Sequence, residues 1–127
     1  MNRFEKVSYN QYLEAIGGDI DLFDEYNDII IPKRATMGSA GYDFFAPFTF
    51  TLNPNETIKI PTGIRVILDS DKFLAMYPRS GLGFKFRLQL DNTVGIIDSD
   101  YCNSDNEGHI FIKITNDGRE GKSITIN

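Results

Sequence analysis

The stretch Thr57-Ile-Lys-Ile-Pro-Thr-Gly-Ile-Arg-Val-Ile-Leu68 decides the fold class, because it holds two short β patterns separated by a turn. Apolar and polar residues alternate from Thr57 to Ile60 and again from Ile64 to Leu68. Such alternation predicts strands with one buried face, and Pro61-Thr-Gly between them predicts a turn.

Similar patterns continue along most of the chain. Asn53-Pro54-Asn55 predicts a turn, and further apolar or alternating runs occur at residues 29–31, 44–52, 73–77, 86–90, 94–97, 110–114 and 123–126. Strands about ten residues apart with no helix between them indicate an all-β sandwich or barrel. The last run has no turn after it and no evident partner, so we expect an unfinished strand in a domain that is incomplete at its C-terminus.

One segment predicts a helix. Ser8 and Gln11 form a capping-box pattern, apolar side chains then recur at helical spacing up to Ile16, and Gly17-Gly18 ends the pattern. The acidic stretch from Asp19 to Asp28 predicts a linker or short turn. We therefore divide the chain into an N-terminal helical extension with its linker (1–28) and a β domain (29–127).

Composition excludes several classes of protein. The formal net charge of -5 disfavours nucleic acid and anionic membranes as partners, since both require a basic surface. No apolar run approaches the roughly 20 residues that span a bilayer. The single cysteine, Cys102, cannot form an internal disulfide, which suits a reducing cytoplasm.

Charge is segregated in the second half of the chain. Residues 72–90 hold four cations and no acids, whereas residues 91–108 hold five acids and no cations. Within the basic part, Arg79-Ser80-Gly81 combines a forked cation, a hydroxyl and accessible backbone N–H groups, which suits phosphate oxygens. The simpler interpretations are a glycine turn with a surface arginine, or solvated loops of opposite sign.

Two aspartates are candidate chemical groups. Asp98 follows the apolar run 94–97, so we expect its carboxylate to be partly desolvated and able to accept a proton from water. Asp43 ends Ser39-Ala-Gly-Tyr-Asp and can meet a metal ion or the basic segment. The alternative for each is a turn residue that satisfies backbone donors.

His109 and Cys102 are weaker candidates. His109 has no second histidine or cysteine pair at metal-ligand spacing, so a strand or surface position is the favoured interpretation. The loop around Cys102 supplies only acids and no cation or base, which disfavours a nucleophile.

Together these segments resemble the first three of the five motifs of the trimeric dUTPase family. Pro32-Lys-Arg-Ala-Thr with Ser39–Phe44 resembles motif one, Pro78–Gly83 motif two, and Asp91–Tyr101 motif three. The loop after Tyr101 resembles the expanded loop of Gram-positive bacterial and phage-like members. The fourth motif and the glycine-rich fifth would follow Asn127.

The resemblance implies a jelly-roll-like β domain that forms homotrimers with active sites between subunits. It implies hydrolysis of dUTP to dUMP and pyrophosphate by water attack on the α-phosphate. That reaction limits uracil incorporation into DNA and supplies dUMP for thymidylate synthesis. Magnesium is the implied cofactor, held chiefly by the triphosphate.

The resemblance also implies roles for individual residues. Asp98 is the catalytic base, Asp43 reaches the metal through water, and Tyr101 lies on the deoxyribose. The phosphates are bound by Arg79, Ser80 and Gly81, and the uracil is read by Asn92, Gly95, Ile96 and Ile97. Two alternatives stay open: a dCTP deaminase, which shares the fold, and a non-hydrolytic dUTPase-like protein that binds nucleotide or a regulatory partner.

Overall fold

The computed structural model describes residues 2–18 and 20–127, and most of their regular structure is β-strand. The strands are β1 Arg3–Lys6, β2 Phe50–Leu52, β3 Thr57–Pro61, β4 Ile64–Ile67, β5 Leu74–Met76, β6 Leu88–Leu90, β7 Gly95–Ile97, β8 Phe111–Asn116 and β9 Ile124–Ile126. Every ladder is antiparallel: β1 with β4, β2 with β9, β5 with β7, and β3 with β8 and then β6. The predicted all-β class is confirmed.

The deciding stretch forms two strands, but these do not pair with each other. β3 pairs with β8 and β4 pairs with β1, so the turn between them passes the chain from one sheet to another. Gly63 makes this possible with a φ of +75°, and a Cβ there would lie 2.4 Å from Ile29 Cδ1. Hydrogen bonds also hold this turn against Ile110, whose backbone carbonyl accepts from the Thr62 N–H and from the Thr62 hydroxyl.

Among the described residues, three clusters of buried apolar side chains form the core. The first lies between the β2–β9 ladder and the three-stranded sheet, the second joins the N-terminal segment to β4, and the third lies under β4 and β5. The buried members of the first cluster are Leu52, Ile60, Leu88, Ile114 and Ile124. Those of the second are Val7, Tyr12, Ile29 and Ile64. Those of the third are Val66, Met76 and Ile110. The N-terminal segment is therefore packed on the β domain.

The predicted N-terminal helix is confirmed as α1 (Tyr9–Ile16). Ser8 Oγ accepts the Gln11 N–H at 3.2 Å, and Gly17 ends the helix with a φ of 79°. In a capping box the Gln11 side chain would accept the Ser8 N–H. Here that N–H is accepted by Glu107 Oε1, from outside the helix, at 2.8 Å. The Gln11 side chain is thus free to contact His109.

The expectation of a single helix is wrong. α2 (Phe23–Asn27) lies inside the acidic stretch, whose first residue, Asp19, is outside the described residues. Asp24 and Glu25 occupy its first turn, where carboxylates favour a helix. Five residues are too few to show a helical period.

A third helix, α3 (Ser80–Phe86), lies where the simpler interpretation of this segment expects a glycine turn. Leu82 and Phe86, one helical turn apart, pack on the first core cluster and hold the helix. The two glycines inside it disfavour a helix by local propensity, so tertiary packing overrides the sequence signal.

Two strand predictions also differ from the structure. Residues 29–31 are no strand, since Ile30 and Ile31 are exposed and only the isolated bridge Lys33–Asp43 follows. β1 was not predicted, because Arg-Phe-Glu-Lys shows too little apolar character. No described helix is long and apolar enough to cross a membrane.

The expectation that the last strand lacks a partner is wrong. β9 pairs with β2 in the register Thr51–Thr125, and Ile124 is 1% exposed. Because this partner lies far upstream in the sequence, no local pattern could reveal the pairing.

Candidate functional site

Two of the predicted segments meet in space. Arg79 Nη1 lies 3.3 Å from Asp43 Oδ2, with side-chain exposures of 70% and 26%. Asp43 is fixed by its backbone N–H, which donates to Lys33 O at 2.8 Å. A pair this exposed contributes about 1 kcal/mol at most, so both groups can turn to a ligand at little cost.

Backbone donors add to the positive charge of Arg79. Arg79 is the N-cap of α3, and the first bond inside the helix runs from Gly83 N to Arg79 O at 3.0 Å. The N–H groups of Ser80 and Gly81 therefore have no partner within the helix. Because a Cβ at Gly81 would meet nothing within 4 Å, the approach to these donors is open.

A cleft of about 580 Å³ extends from this pair into the sandwich. Tyr42, Asp43 and Arg79 stand among its lining residues, and most of its wall is apolar, including Phe44 and Met76. Apolar walls with a few convergent polar groups are typical of small-molecule sites.

The predicted base-reading residues lie around a second cavity of about 380 Å³. Its lining includes Asn92, Gly95, Ile96 and Ile97. Gly95 lies opposite Met76 in the β5–β7 ladder, where a Cβ would come within 3.3 Å of Met76 Cβ. A side chain at position 95 would therefore crowd Met76 across the ladder.

Asp98 and Arg79 are not brought together within the chain. Ile97 pairs with Leu74 and Gly95 pairs with Met76, so Asp98 leaves one end of the ladder and Arg79 lies beyond the other. Asp98 is exposed, and its carbonyl accepts the Tyr101 N–H at 3.1 Å. The expected desolvation of its carboxylate is therefore wrong for the single chain.

Tyr101 is half-buried in a 3₁₀ turn, Tyr101–Asn103. Its hydroxyl donates to His109 O at 2.8 Å and accepts from Asn106 Nδ2 at 3.1 Å. Both ends of this tyrosine are thus fixed, its backbone by the turn and its hydroxyl by the far side of the loop.

His109 is fully buried and lies just before β8 rather than in a strand, so the prediction of a strand or surface histidine is wrong. The Gly63 N–H donates to Nε2 at 2.9 Å, which leaves the ring proton on Nδ1, 2.6 Å from Gln11 Oε1. Burial lowers the pKa of His109 to about 4, against the opposing charge of Glu107. The imidazole is therefore neutral near pH 7. Its bonds to Gly63 and Gln11 fix the end of the loop that follows Tyr101.

Sequence reasoning missed Arg65 and Glu107. Arg65 donates to Glu107 O at 2.7 Å, Cys102 O at 3.1 Å and Glu5 Oε1 at 2.7 Å. Hydrogen bonds from the Ser8 hydroxyl and N–H hold the pKa of Glu107 below its usual value. Arg65 sits in an alternating strand pattern that predicts a solvated side chain, so the sequence carried no signal for this role.

Cys102 is half-buried beside Tyr101. Its Sγ lies 3.7 Å from Ser99 O and 3.8 Å from Asn103 Oδ1. These weak local contacts give it no base or cation at hydrogen-bonding distance among the described residues.

Comparison with known proteins identifies the family. Residues 27–127 match the family model for dUTPase. The Deoxyuridine 5'-triphosphate nucleotidohydrolase of Lactococcus lactis is 47% identical over 89 residues, which cover 69% of this chain and 59% of the relative. That of Methylobacillus flagellatus is 42% identical over 105 residues, which cover 80% of this chain and 67% of the relative. The chain thus spans about six tenths of the length of these relatives.

Solved structures agree with the fold. The dUTPase from Streptococcus mutans superposes with a TM-score of 0.69 at 28% identity, covering 98% of this chain and 85% of that one. A dUTPase from phage phi11 of S. aureus has a TM-score of 0.66 at 22% identity and covers 100% of this chain and 82% of the other, a likeness of fold alone. The jelly-roll-like fold that the resemblance implied is confirmed, and the chain belongs to the dUTPase family.

Proposed function

We propose that the protein hydrolyses dUTP to dUMP and pyrophosphate. The observation that carries the proposal is the meeting of Arg79 and Asp43 at the start of α3, which joins a fixed cation, free backbone donors and a carboxylate. This set suits a magnesium-bound polyphosphate. The names of the relatives support dUTP as the substrate.

Arg79, Ser80 and Gly81 bind the phosphate chain in this proposal. Water attacks the α-phosphorus, and the bond to the oxygen bridging toward the β-phosphate breaks. Negative charge then collects on the leaving pyrophosphate. Preorganised donors aimed at that charge stabilise the transition state without rearranging at the moment of reaction.

The chain fits a magnesium ion that arrives with the nucleotide. Among residues 2–18 and 20–127, no group of three or more histidine, cysteine or acidic side chains is placed to hold a metal. Asp43 offers one carboxylate beside the phosphate donors, and Mg²⁺ prefers a few carboxylates, substrate phosphates and retained waters. Bound magnesium would neutralise phosphate charge, while Asp43 would orient its waters.

Asp98 is the general base, and its position favours a site shared between subunits. The Asp98 carboxylate accepts the proton of the attacking water, but Arg79 lies beyond the opposite end of the β5–β7 ladder. We infer that a second copy supplies one of the two. Phe73, directly before β5, and Ile96 in β7, 61% and 52% exposed, offer apolar surface for such a contact. We propose a homotrimer.

The nucleoside is selected by β7, the loop before it and the turn that follows it. Asn92 and the backbone of Gly95, Ile96 and Ile97 hydrogen bond the uracil edge, and a cytosine would leave a donor or acceptor there unpaired. Tyr101 lies against the deoxyribose and leaves no room for a 2'-hydroxyl. The negative net charge and lone cysteine support a small-molecule substrate and a cytoplasmic setting.

The alternatives receive less support. Neither the family model nor the relatives compared carry the name of a dCTP deaminase. In the non-hydrolytic alternative the carboxylate at position 98 takes no part in a reaction, which makes that position the discriminating one.

Release of pyrophosphate from dUTP, dCTP, dTTP and UTP, each with magnesium, tests the proposal. We expect dUTP alone to be turned over appreciably, with no ammonia from dCTP. Ammonia release would establish the deaminase, and tight dUTP binding without pyrophosphate would establish the non-hydrolytic alternative.

A further inference from the structure

The hydroxyl of Tyr101 is tied to a residue that is itself held on both sides. The hydroxyl donates to the backbone carbonyl of His109 at 2.8 Å. Arg65 and Ser8 also hold the loop between these residues, and the bond to His109 O is the one that acts directly on the tyrosine hydroxyl from the end of that loop.

The His109 ring has one arrangement that satisfies both its nitrogens. Nε2 accepts the Gly63 N–H at 2.9 Å, and the Nδ1 proton is directed at Gln11 Oε1, 2.6 Å away. His109 is 0% exposed, so water cannot replace Gly63 or Gln11 as its hydrogen-bond partner unless the turn at Gly63 opens. A buried ring paired on both sides has few alternative positions.

Gln11 connects this arrangement to the N-terminal helix. It lies on α1, outside the residues 27–127 that match the family model. Ser8 at the start of the same helix binds the Glu107 carboxylate through its N–H at 2.8 Å and its hydroxyl at 2.6 Å. The helix therefore contacts the loop behind Tyr101 at two successive points.

We propose that Gln11 and His109 are positioning residues that fix Tyr101 and thereby set the preference for deoxyribose over ribose. The inference rests on the proposed function and deepens it. Exclusion of a 2'-hydroxyl depends on a close approach of the ring to the sugar, and small displacements of a positioned group change rates strongly. The N-terminal helix α1 then contributes to the preference for deoxyribose over ribose.

The test compares three variants of the complete protein by kcat/KM for dUTP and for UTP. Gln11→Met keeps the length of the side chain and removes the acceptor, whereas Gln11→Glu keeps an acceptor for the Nδ1 proton. Tyr9→Phe is the matched control, because it removes bonds of 3.0 Å to Asp21 and Leu22 from the same helix without touching the loop.

We expect Gln11→Met to lower the ratio of dUTP to UTP efficiency by about tenfold, the factor that one hydrogen bond of ordinary strength represents. Gln11→Glu should restore most of the ratio, and Tyr9→Phe should leave it unchanged. An unchanged ratio in Gln11→Met overturns the proposal. An equal loss in Gln11→Met and Tyr9→Phe also overturns it, since helix stability would then be the cause.

Hydrogen exchange without nucleotide separates this proposal from the function on which it rests. The backbone N–H groups of Ser104, Glu107 and His109 are bonded within the loop, and Gln11→Met should speed their exchange while Tyr9→Phe should not. If the wild-type protein fails to hydrolyse dUTP, the proposed function falls, and selective loosening of the loop still supports the positioning role. Unchanged exchange in Gln11→Met contradicts it.

Discussion

Asp98 and Arg79 flank opposite ends of one antiparallel ladder. Leu74 pairs with Ile97 beside the aspartate, and Met76 pairs with Gly95 on the side of the arginine. The register therefore separates the proposed base from the proposed phosphate ligand within a single chain.

Asp98→Asn should reduce dUTP turnover by roughly 10²–10⁴, the usual contribution of a positioned general base, and leave nucleotide binding nearly intact. Pyrophosphate release and calorimetry measure the two effects. Asp100→Asn is the control, because Asp100 is also exposed and its side chain makes no capping hydrogen bond. Equal turnover in both variants and the wild type would show that Asp98 serves only as a turn residue.

Stability should fall as the pH drops from about 6.5 to about 4. The folded pKa of His109 is lowered to about 4 by burial, whereas the unfolded value is near 6.5, so between these values the unfolded chain binds the extra proton. The stabilisation is complete above pH 6.5 and amounts to about 3 kcal/mol at most.

Proton NMR and urea unfolding check this pH dependence. His109 is the single histidine of the chain, so its ring resonance is unambiguous. His109→Gln should flatten the change in unfolding free energy between pH 6.5 and pH 4, whatever its effect on absolute stability. A histidine that titrates near 6.5 in the folded protein would contradict the burial described above.

Ile124→Ala should destabilise the protein by about 2–5 kcal/mol, because Ile124 is 1% exposed within the first core cluster. Thr125→Ala on the opposite face loses only an exposed hydroxyl contact of 3.0 Å to Thr51 and should cost about 1 kcal/mol or less. Urea unfolding of both variants provides the comparison. Similar small losses would mean that β9 is not docked on β2.

The sequence predicted what depends on local pattern. Ser8 and Gly17 mark the ends of α1, and alternation located most of the strands, because capping and period are properties of neighbouring residues. α3 escaped detection since Leu82 and Phe86 are held by the core while glycines obscure the helix. The pairing of β9 with β2 joins distant segments that no window contains.

The same distinction holds at the site. The motifs around Asp43, Arg79 and Asp98 could be recognised as motifs, and the contact between the first two agrees with the expectation that Asp43 meets the basic segment. The exposure of Asp98, directly after β7, could not be predicted from the apolar run that precedes it. The burial of His109 depends on Gln11 and Gly63, both remote in sequence.

Mixing two inactive variants tests the central claim most directly, namely that one subunit binds the phosphates while another supplies the base. Arg79→Ala and Asp98→Asn should each be nearly inactive alone. When they are unfolded together and reassembled in equal amounts, a site has a one-in-four chance of pairing an intact Arg79 with an intact Asp98. The mixture should therefore recover about a quarter of wild-type turnover in a symmetric assembly. Mixed oligomers with no more activity than the separate variants would contradict the shared site.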